Sequence, residues 1–383
     1  MIPYLLVGLG AAVISFLATP LVRWFALRIG AIDHPHDRKV HALPTPTLGG
    51  LAIFLGILGA GIVARFMPEF SNVFEQSSQP LGIAVGAIVI LALGAVDDLR
   101  DLPAPVKLAG QVFASGIMFL AGVKMRFVLL PNGQFYGLGD DVSVLVTVIW
   151  LVAMINAVNL VDGLDGLAAG IVAIAGASFF VFVFRLSERG LLPDESSAPL
   201  LAIVVVGAAL GFLRHNFHPA RIFMGDSGSM LLGLVLGATT LVGIGSVPAT
   251  LDIGLASVPG APSTSAAQVF LAYFPLLIPI MVIALPIVDT VFAILRRAAK
   301  RRSVFHADKE HLHHRLMDLG HGHRQAVIVM YIWSALAAGA ALAFTFLDRS
   351  DVIFALPIAV GAIVLYTLFP VLTKAIQDRL SWM

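Results

Sequence analysis

Residues 142–170 read VSVLVTVIWLVAMINAVNLVDGLDGLAAG. The first part, from Val142 to about Leu160, is an apolar run of the length that crosses a bilayer as a helix. Its end changes character. Asn156, Asn159, Asp162 and Asp165 recur at a spacing of three, and glycines follow both acids, at Gly163 and Gly166. On a helix that spacing drifts slowly around one face, so all four polar side chains are expected to point roughly the same way. The glycines let the backbone turn and approach a ligand closely. A polar row at such a boundary predicts a pocket where a membrane helix meets water.

The rest of the chain fits a membrane setting. Of 383 residues, 58% are hydrophobic and 12% charged, with a mean hydropathy of +0.94. Many runs reach the roughly 20 apolar residues that span a bilayer. Backbone groups in lipid must be paired internally, and runs this long do so as helices and not as barrel strands. The expected fold is therefore an all-α polytopic membrane protein. Eleven spans are read, near 2–22, 48–64, 80–96, 104–123, 142–160, 167–184, 198–213, 227–247, 268–295, 325–347 and 352–373; ten is also compatible. Pro275, Pro279 and Pro286 predict a kink or break in the span at 268–295. The first 22 residues carry no side-chain charge and read as a first membrane helix, not a cleaved signal peptide. The chain has no cysteine, which excludes disulfides, thiol nucleophiles and Cys-ligated zinc.

Orientation follows from basic residues. Alternate loops starting after the first span hold eighteen of the 24 Lys and Arg residues. All 11 histidines fall on that same side. Assigning it to the cytoplasm puts the N-terminus outside and the C-terminus inside. The whole chain reads as one integral membrane domain, 1–383, with its chemistry on cytoplasmic loops 23–47, 97–107, 156–166, 214–229 and 296–324.

Five segments on that side carry the chemistry. The first holds DHPHDRKVH (33–41) and then PTPTLGG (44–50), a stiff loop feeding a helix start with donors for an anion; a plain basic interfacial anchor reads equally well. The second is GAVDDLRD (94–101), followed by Lys107. The adjacent carboxylates Asp97 and Asp98 repel each other and make sense with a divalent cation or a proton between them. The third is the Asn156–Asp165 stretch, which lacks the remaining ligands of an EF-hand loop. The fourth is Asn216 with PARIFMGDSGS (219–229), where Asp226 is either a helix cap or a metal ligand. The fifth is a basic loop, Arg296 to Arg302, leading to His306 and HLHHR (311–315). Lipid headgroups explain its cations but not the His-x-His-His. A zinc site at His311 and His314 is the soft-metal alternative. Acids and amides point instead to a hard cation, Mg²⁺ or Mn²⁺.

Together, RKVHALPTPTLGG, GAVDDLRD with Lys107, NAVNLVDGLDGLAAG, RIFMGDSGSM and KEHLHHRLMDLG resemble the polyprenyl-phosphate N-acetylhexosamine-1-phosphate transferase family, in family order from about residue 35 to 325. HLHH after a basic loop looks like the branch that uses UDP-N-acetylglucosamine. Thr47, where that branch often has Arg, is closer to the phospho-MurNAc-pentapeptide translocase branch. The resemblance implies a bacterial inner-membrane enzyme with its site facing the cytoplasm. It would join UDP-GlcNAc and an undecaprenyl or decaprenyl phosphate to give polyprenyl-diphosphate-GlcNAc and UMP, a first step toward a cell-envelope polysaccharide such as teichoic acid or lipopolysaccharide.

The same resemblance implies roles. Asp226 binds Mg²⁺ (or Mn²⁺), with Asn159 and Asp98 in the metal set. Asp97 or Asp98 deprotonates or orients the acceptor phosphate. Asn156, Asn159, Asp162 and Asp165 shape the metal and nucleotide pocket, with Asn216 in support. Lys107 and Lys39 contact phosphate. Arg302, His311, His313 and His314 close over the diphosphate or sugar, His311 among the catalytic groups. The expected partners are polyprenyl phosphate, a UDP-N-acetylhexosamine and membrane lipids, with no nucleic acid; a homodimer is compatible with the sequence. The rival class is a lipid or sugar transporter, which should place ionisable residues near the bilayer midplane. Here polar residues gather at one face.

Overall fold

The computed structural model describes residues 1–35, 43–129, 135–190, 192–245, 321–346 and 357–367. The chain begins with α1 (Ile2–Ile29), the short strands β1 (Ile32–Asp33) and β2 (Thr45–Pro46), and α2 (Gly50–Arg65). A 3-10 turn (Pro68–Phe70) leads into α3 (Ser71–Glu75), then α4 (Gln79–Arg100) and α5 (Ala104–Leu120). After the strands β3 (Phe127–Leu129) and β4 (Phe135–Gly137) come α6 (Asp140–Val161), α7 (Leu167–Glu188), α8 (Ala198–Asn216) and α9 (Gly225–Gly245). The last described helices are α10 (His323–Phe346) and α11 (Pro357–Thr367). The only described sheets are two antiparallel pairs, β1–β2 and β3–β4, so the fold is all-α. Seven described helices are long and apolar enough to cross a membrane, eight if α2 and the bent segment after it count as one span. The span expected at 268–295 lies outside the described residues, as does most of the basic loop that follows it.

One difference from a straight span has a local cause. The helix expected over 48–64 stops at Arg65, and the chain bends by 98° into Pro68–Glu75. Pro68 forces Met67 into an extended conformation. Phe70 is then buried against Tyr4, ring centroids 5.0 Å apart.

The bundle is built around α9. In its membrane-length stretch 89% is buried, against 33% for α4 and 39% for α1. A helix apolar all round belongs inside, and α9 packs against α2, α4, α6, α7 and α8. Small residues permit this. A Cβ on Gly94 of α4 would collide with Ser227, one on Gly50 of α2 with Gly228, and one on Gly233 with Met154 and Ile155 of α6. Without a hydrophobic force between helices in lipid, such close backbone packing holds them together. Four hydroxyls inside the bundle are satisfied locally: Thr19, Ser115, Ser178 and Thr239 each donate to the carbonyl four residues back.

At one end of the bundle the loops are stitched into a platform. Phe223 N donates to Pro46 O, Gly49 N to Phe223 O, Gly50 N to Met224 O and Thr47 N to Ala31 O. Arg23 Nε donates to Arg221 O at 3.0 Å and Arg324 Nε to His218 O at 2.8 Å. The C-termini of α1, α4, α6 and α8 and the N-termini of α2, α5, α7, α9 and α10 meet here.

Candidate active site

Asp97 and Asp98 sit in the last turn of α4, where a carboxylate opposes its own helix dipole. Both are compensated from neighbouring helix starts. Asp98 turns to the N-terminus of α9, accepting from Asp226 N at 2.8 Å, Ser227 N at 3.3 Å and Ser227 Oγ at 2.7 Å. These are the orphan donors of a first turn, and Asp98 caps them from another helix. Gly225 makes the approach possible. It has φ +71°, and a Cβ there would strike the Asp98 carboxylate and Thr47 Oγ1.

Asp97 faces the other way. Its Oδ1 accepts from Leu102 N at 2.7 Å, and its Oδ2 contacts Lys107 Nζ in the first turn of α5. Lys107 also donates to Asp226 Oδ2 at 2.9 Å, so one ammonium bridges the acids of α4 and α9. From α6, Asn159 Nδ2 donates to Asp226 Oδ1 at 2.9 Å and to Ser229 Oγ at 3.0 Å. Both oxygens of Asp226 are thereby fixed in direction. Four helices supply this cluster, which joins Asp97, Lys107, Asn159 and Asp226.

The Asn156–Asp165 row is not one helical face. Helix α6 ends at Val161 with Asp162 as its C-cap, and Gly166 adopts φ +82° before α7 begins. The chain turns in mid-row, and its four polar residues part company. Asn156, the furthest of the four from the C-terminus of α6, donates to Gln111 Oε1 at 2.7 Å. Asn159 and Asp162 address Asp226. Asp165 leaves the cluster to accept from Ala220 N at 3.1 Å and to bond His218 Nδ1 at 2.7 Å. Asn216, 2% exposed, ties the two loops together: its Oδ1 accepts from Gly166 N and its Nδ2 donates to Ile222 O, both at 3.0 Å. Tyr331 of α10 adds a hydroxyl bond to Gly166 O.

Asp162 is left exceptional. It takes no hydrogen bond from the described residues. Desolvation, then the charges of Asp226, Asp98 and Asp165, push its carboxyl up to about 8. Asp97, Asp98, Asp162 and Asp226 thus converge, with Lys107 the one described cation in contact with any of these four. That charge deficit, with a donor-less carboxyl at its centre, fits a hard divalent cation with oxygen ligands.

Gln111 and His218 were not legible as site-building residues. A lone amide in the apolar run 104–123 was the available signal for Gln111. Lys39, Arg302, His311, His313 and His314 lie outside the described residues. A further cluster, Asp165, His218 and His323, brings ligand atoms within 4.8 Å. Its two imidazoles are stacked at 4.0 Å and 16°, so their in-plane lone pairs do not meet at a common point.

The chain is similar to known transferases. The sequence model of glycosyl transferase family 4 matches residues 80–244, from the start of α4 to the end of α9. The decaprenyl-phosphate N-acetylglucosaminephosphotransferase of Mycolicibacterium smegmatis is 38% identical over 380 residues, spanning 96% of this chain and 89% of the relative. A probable undecaprenyl-phosphate N-acetylglucosaminyl 1-phosphate transferase of Bacillus subtilis is 37% identical over 82% of this chain and 78% of its own length. The undecaprenyl-phosphate alpha-N-acetylglucosaminyl 1-phosphate transferase of Escherichia coli K12 is 27% identical over 84% of this chain and 80% of its own.

Proposed function

This chain belongs to glycosyl transferase family 4, and from that premise we propose how it works: it transfers N-acetylglucosamine-1-phosphate to a polyprenyl phosphate, taking it from UDP-GlcNAc with the help of Mg²⁺ at the cytoplasmic face of the inner membrane. The observation that carries this reading is the Asp97–Lys107–Asp226 bridge at the mouth of a membrane bundle. A lipid phosphate reaches such a site from the bilayer and a nucleotide sugar from the water.

An oxygen of the acceptor phosphate attacks the phosphorus that carries the sugar. The bond from that phosphorus to the UMP oxygen breaks, and UMP leaves with the electron pair. The acceptor, with a second pKa near 6, is largely dianionic at neutral pH. Little proton abstraction is needed, and catalysis is mainly positioning and charge neutralisation. Asp226 and Asp162, with the side-chain oxygen of Asn159, would hold Mg²⁺, which supplies Lewis acidity between two anionic substrates. Lys107 offers its ammonium to a phosphate while restraining Asp97 and Asp226. Of the two adjacent acids, Asp97 is assigned to the acceptor side because it holds Lys107, the ammonium offered to the phosphate, whereas Asp98 is engaged by α9. Asp98 is a positioning residue: it sets the backbone from which Asp226 projects. Asn159 sets the Asp226 rotamer.

The test is UMP release by the purified protein with undecaprenyl or decaprenyl phosphate. UDP-GlcNAc with Mg²⁺ is expected to give UMP, and EDTA to abolish it. UMP from UDP-MurNAc-pentapeptide alone would keep the mechanism and overturn the donor. UMP without divalent metal would overturn the role of the carboxylates.

A further inference from the structure

Outside the catalytic cluster, a cavity of about 610 Å³ lies where α8 ends and α10 begins. Leu210, Leu213, Arg214 and Phe217 line it, a set at positions i, i+3, i+4 and i+7 that makes one face of α8 and the turn after it. The buried Phe212 and Asn216 belong to another face of the same segment. Arg221 and Arg324 complete the rim. Three guanidinium groups, with His215 and His218, therefore border a hollow whose apolar side is Leu210, Leu213 and Phe217. Among the described residues no carboxylate pairs with Arg214, Arg221 or Arg324, and no acid lines the cavity. Asp165, behind the wall, is occupied by His218 and Ala220 N.

The hollow opens toward the bilayer boundary. Leu210 is 49% exposed on the outside of a membrane-length helix. Beside it, His215 Nε2 lies 3.2 Å from Phe16 O of α1, where Phe16 and Leu17 are exposed. An apolar floor at the end of a span, with arginines above it that no described carboxylate pairs, matches the boundary between acyl chains and phosphates. Arginine forks recognise phosphate oxygens two at a time.

We propose that this cavity binds the phosphodiester headgroup of an anionic phospholipid in the leaflet that borders the catalytic end. The ligand's first acyl carbons lie against Leu210, Leu213 and Phe217, and its phosphate lies between Arg214, Arg221 and Arg324. The inference is independent of the donor sugar and of the metal.

Full-length protein, delipidated in neutral detergent, is titrated with phosphatidylglycerol or phosphatidylethanolamine, and retained lipid is counted by native mass spectrometry. One phosphatidylglycerol is expected to be held in preference to phosphatidylethanolamine. Arg214→Gln should weaken it by about five-fold, Arg214→Lys should recover part of the loss, and Leu210→Trp should fill the hollow and remove it. UMP release in detergent without added phospholipid is expected to stay at the wild-type level in these variants, which reports that they are folded. Equal retention of the two lipids overturns the proposal, as does unchanged phosphatidylglycerol binding in both Arg214→Gln and Leu210→Trp. Displacement by inorganic phosphate at similar concentration, or preferential displacement by undecaprenyl phosphate, also overturns it, assigning the cavity to a free phosphate or to the acceptor.

Discussion

Four acids gather within one small volume, and each has a different fate. Asp226 is held by Lys107 and Asn159, Asp97 by Lys107 and Leu102 N, and Asp98 by the start of α9. Asp226→Asn keeps one of the two acceptor oxygens, turns the other into an N–H donor and removes the charge. It is expected to fold and to lose UMP release by about 100-fold or more, with a raised Mg²⁺ requirement in a metal titration. Asp98→Ala removes a cap worth about 1 kcal/mol and should lower both the thermal midpoint and kcat, while Asp98→Asn recovers part of each. A direct catalytic role for Asp98 would instead leave Asp98→Asn as inactive as Asp98→Ala. Asp162 has a sign that can be worked out. Its folded value of about 8 lies above the unfolded value near 3.9, so its contribution to stability is fully present at low pH and is lost as pH rises toward 8. Metal-free protein is expected to lose thermal stability progressively between about pH 4 and pH 8, and Asp162→Asn to flatten that slope. A variant slope equal to the wild-type slope would remove this account of Asp162.

Helix α9 decides which of these residues meet. Its N-terminus points at the ends of α4 and α6, and its glycines let α2, α4 and α6 come close enough to bring Asp98, Asn159 and Asp226 together. Gly225→Ala should cost about 1 kcal/mol or more for the left-handed backbone alone. The added Cβ also strikes Asp98, so activity is expected to fall further than stability, measured as UMP release against the thermal midpoint in detergent. The pattern at 94–101, 156–165 and 225–229 marked the carboxylates and amides, because apolar runs ending in acids are rare in membrane helices. The pattern did not show that α6 stops at Val161. Spacing of three is helical only while the helix lasts, and the turn at Gly163 to Gly166 sends Asp165 to His218 and leaves Asp162 beside Asp226.

For the whole molecule, the acids and amides of the candidate site collect at one end of the described helices. The cysteine-free chain suits a labelling test of its orientation. Asp101 and Gln76 flank opposite ends of α4. In intact cells Gln76→Cys is expected to react with an impermeant maleimide and Asp101→Cys only after permeabilisation; the reverse would turn the protein over. Composition and the length of the apolar runs determined a polytopic helical bundle, since bilayer thickness and unsatisfied backbone groups allow little else. Residue type and spacing also determined the family resemblance and marked most of the acids and amides of the site. Tertiary structure alone decided how the acids divide their work. Whether a carboxylate binds a lysine, caps a helix or stays without a donor depends on which helix terminus packs against it, and that contact is set by glycines on α2, α4 and α9 far apart in the chain.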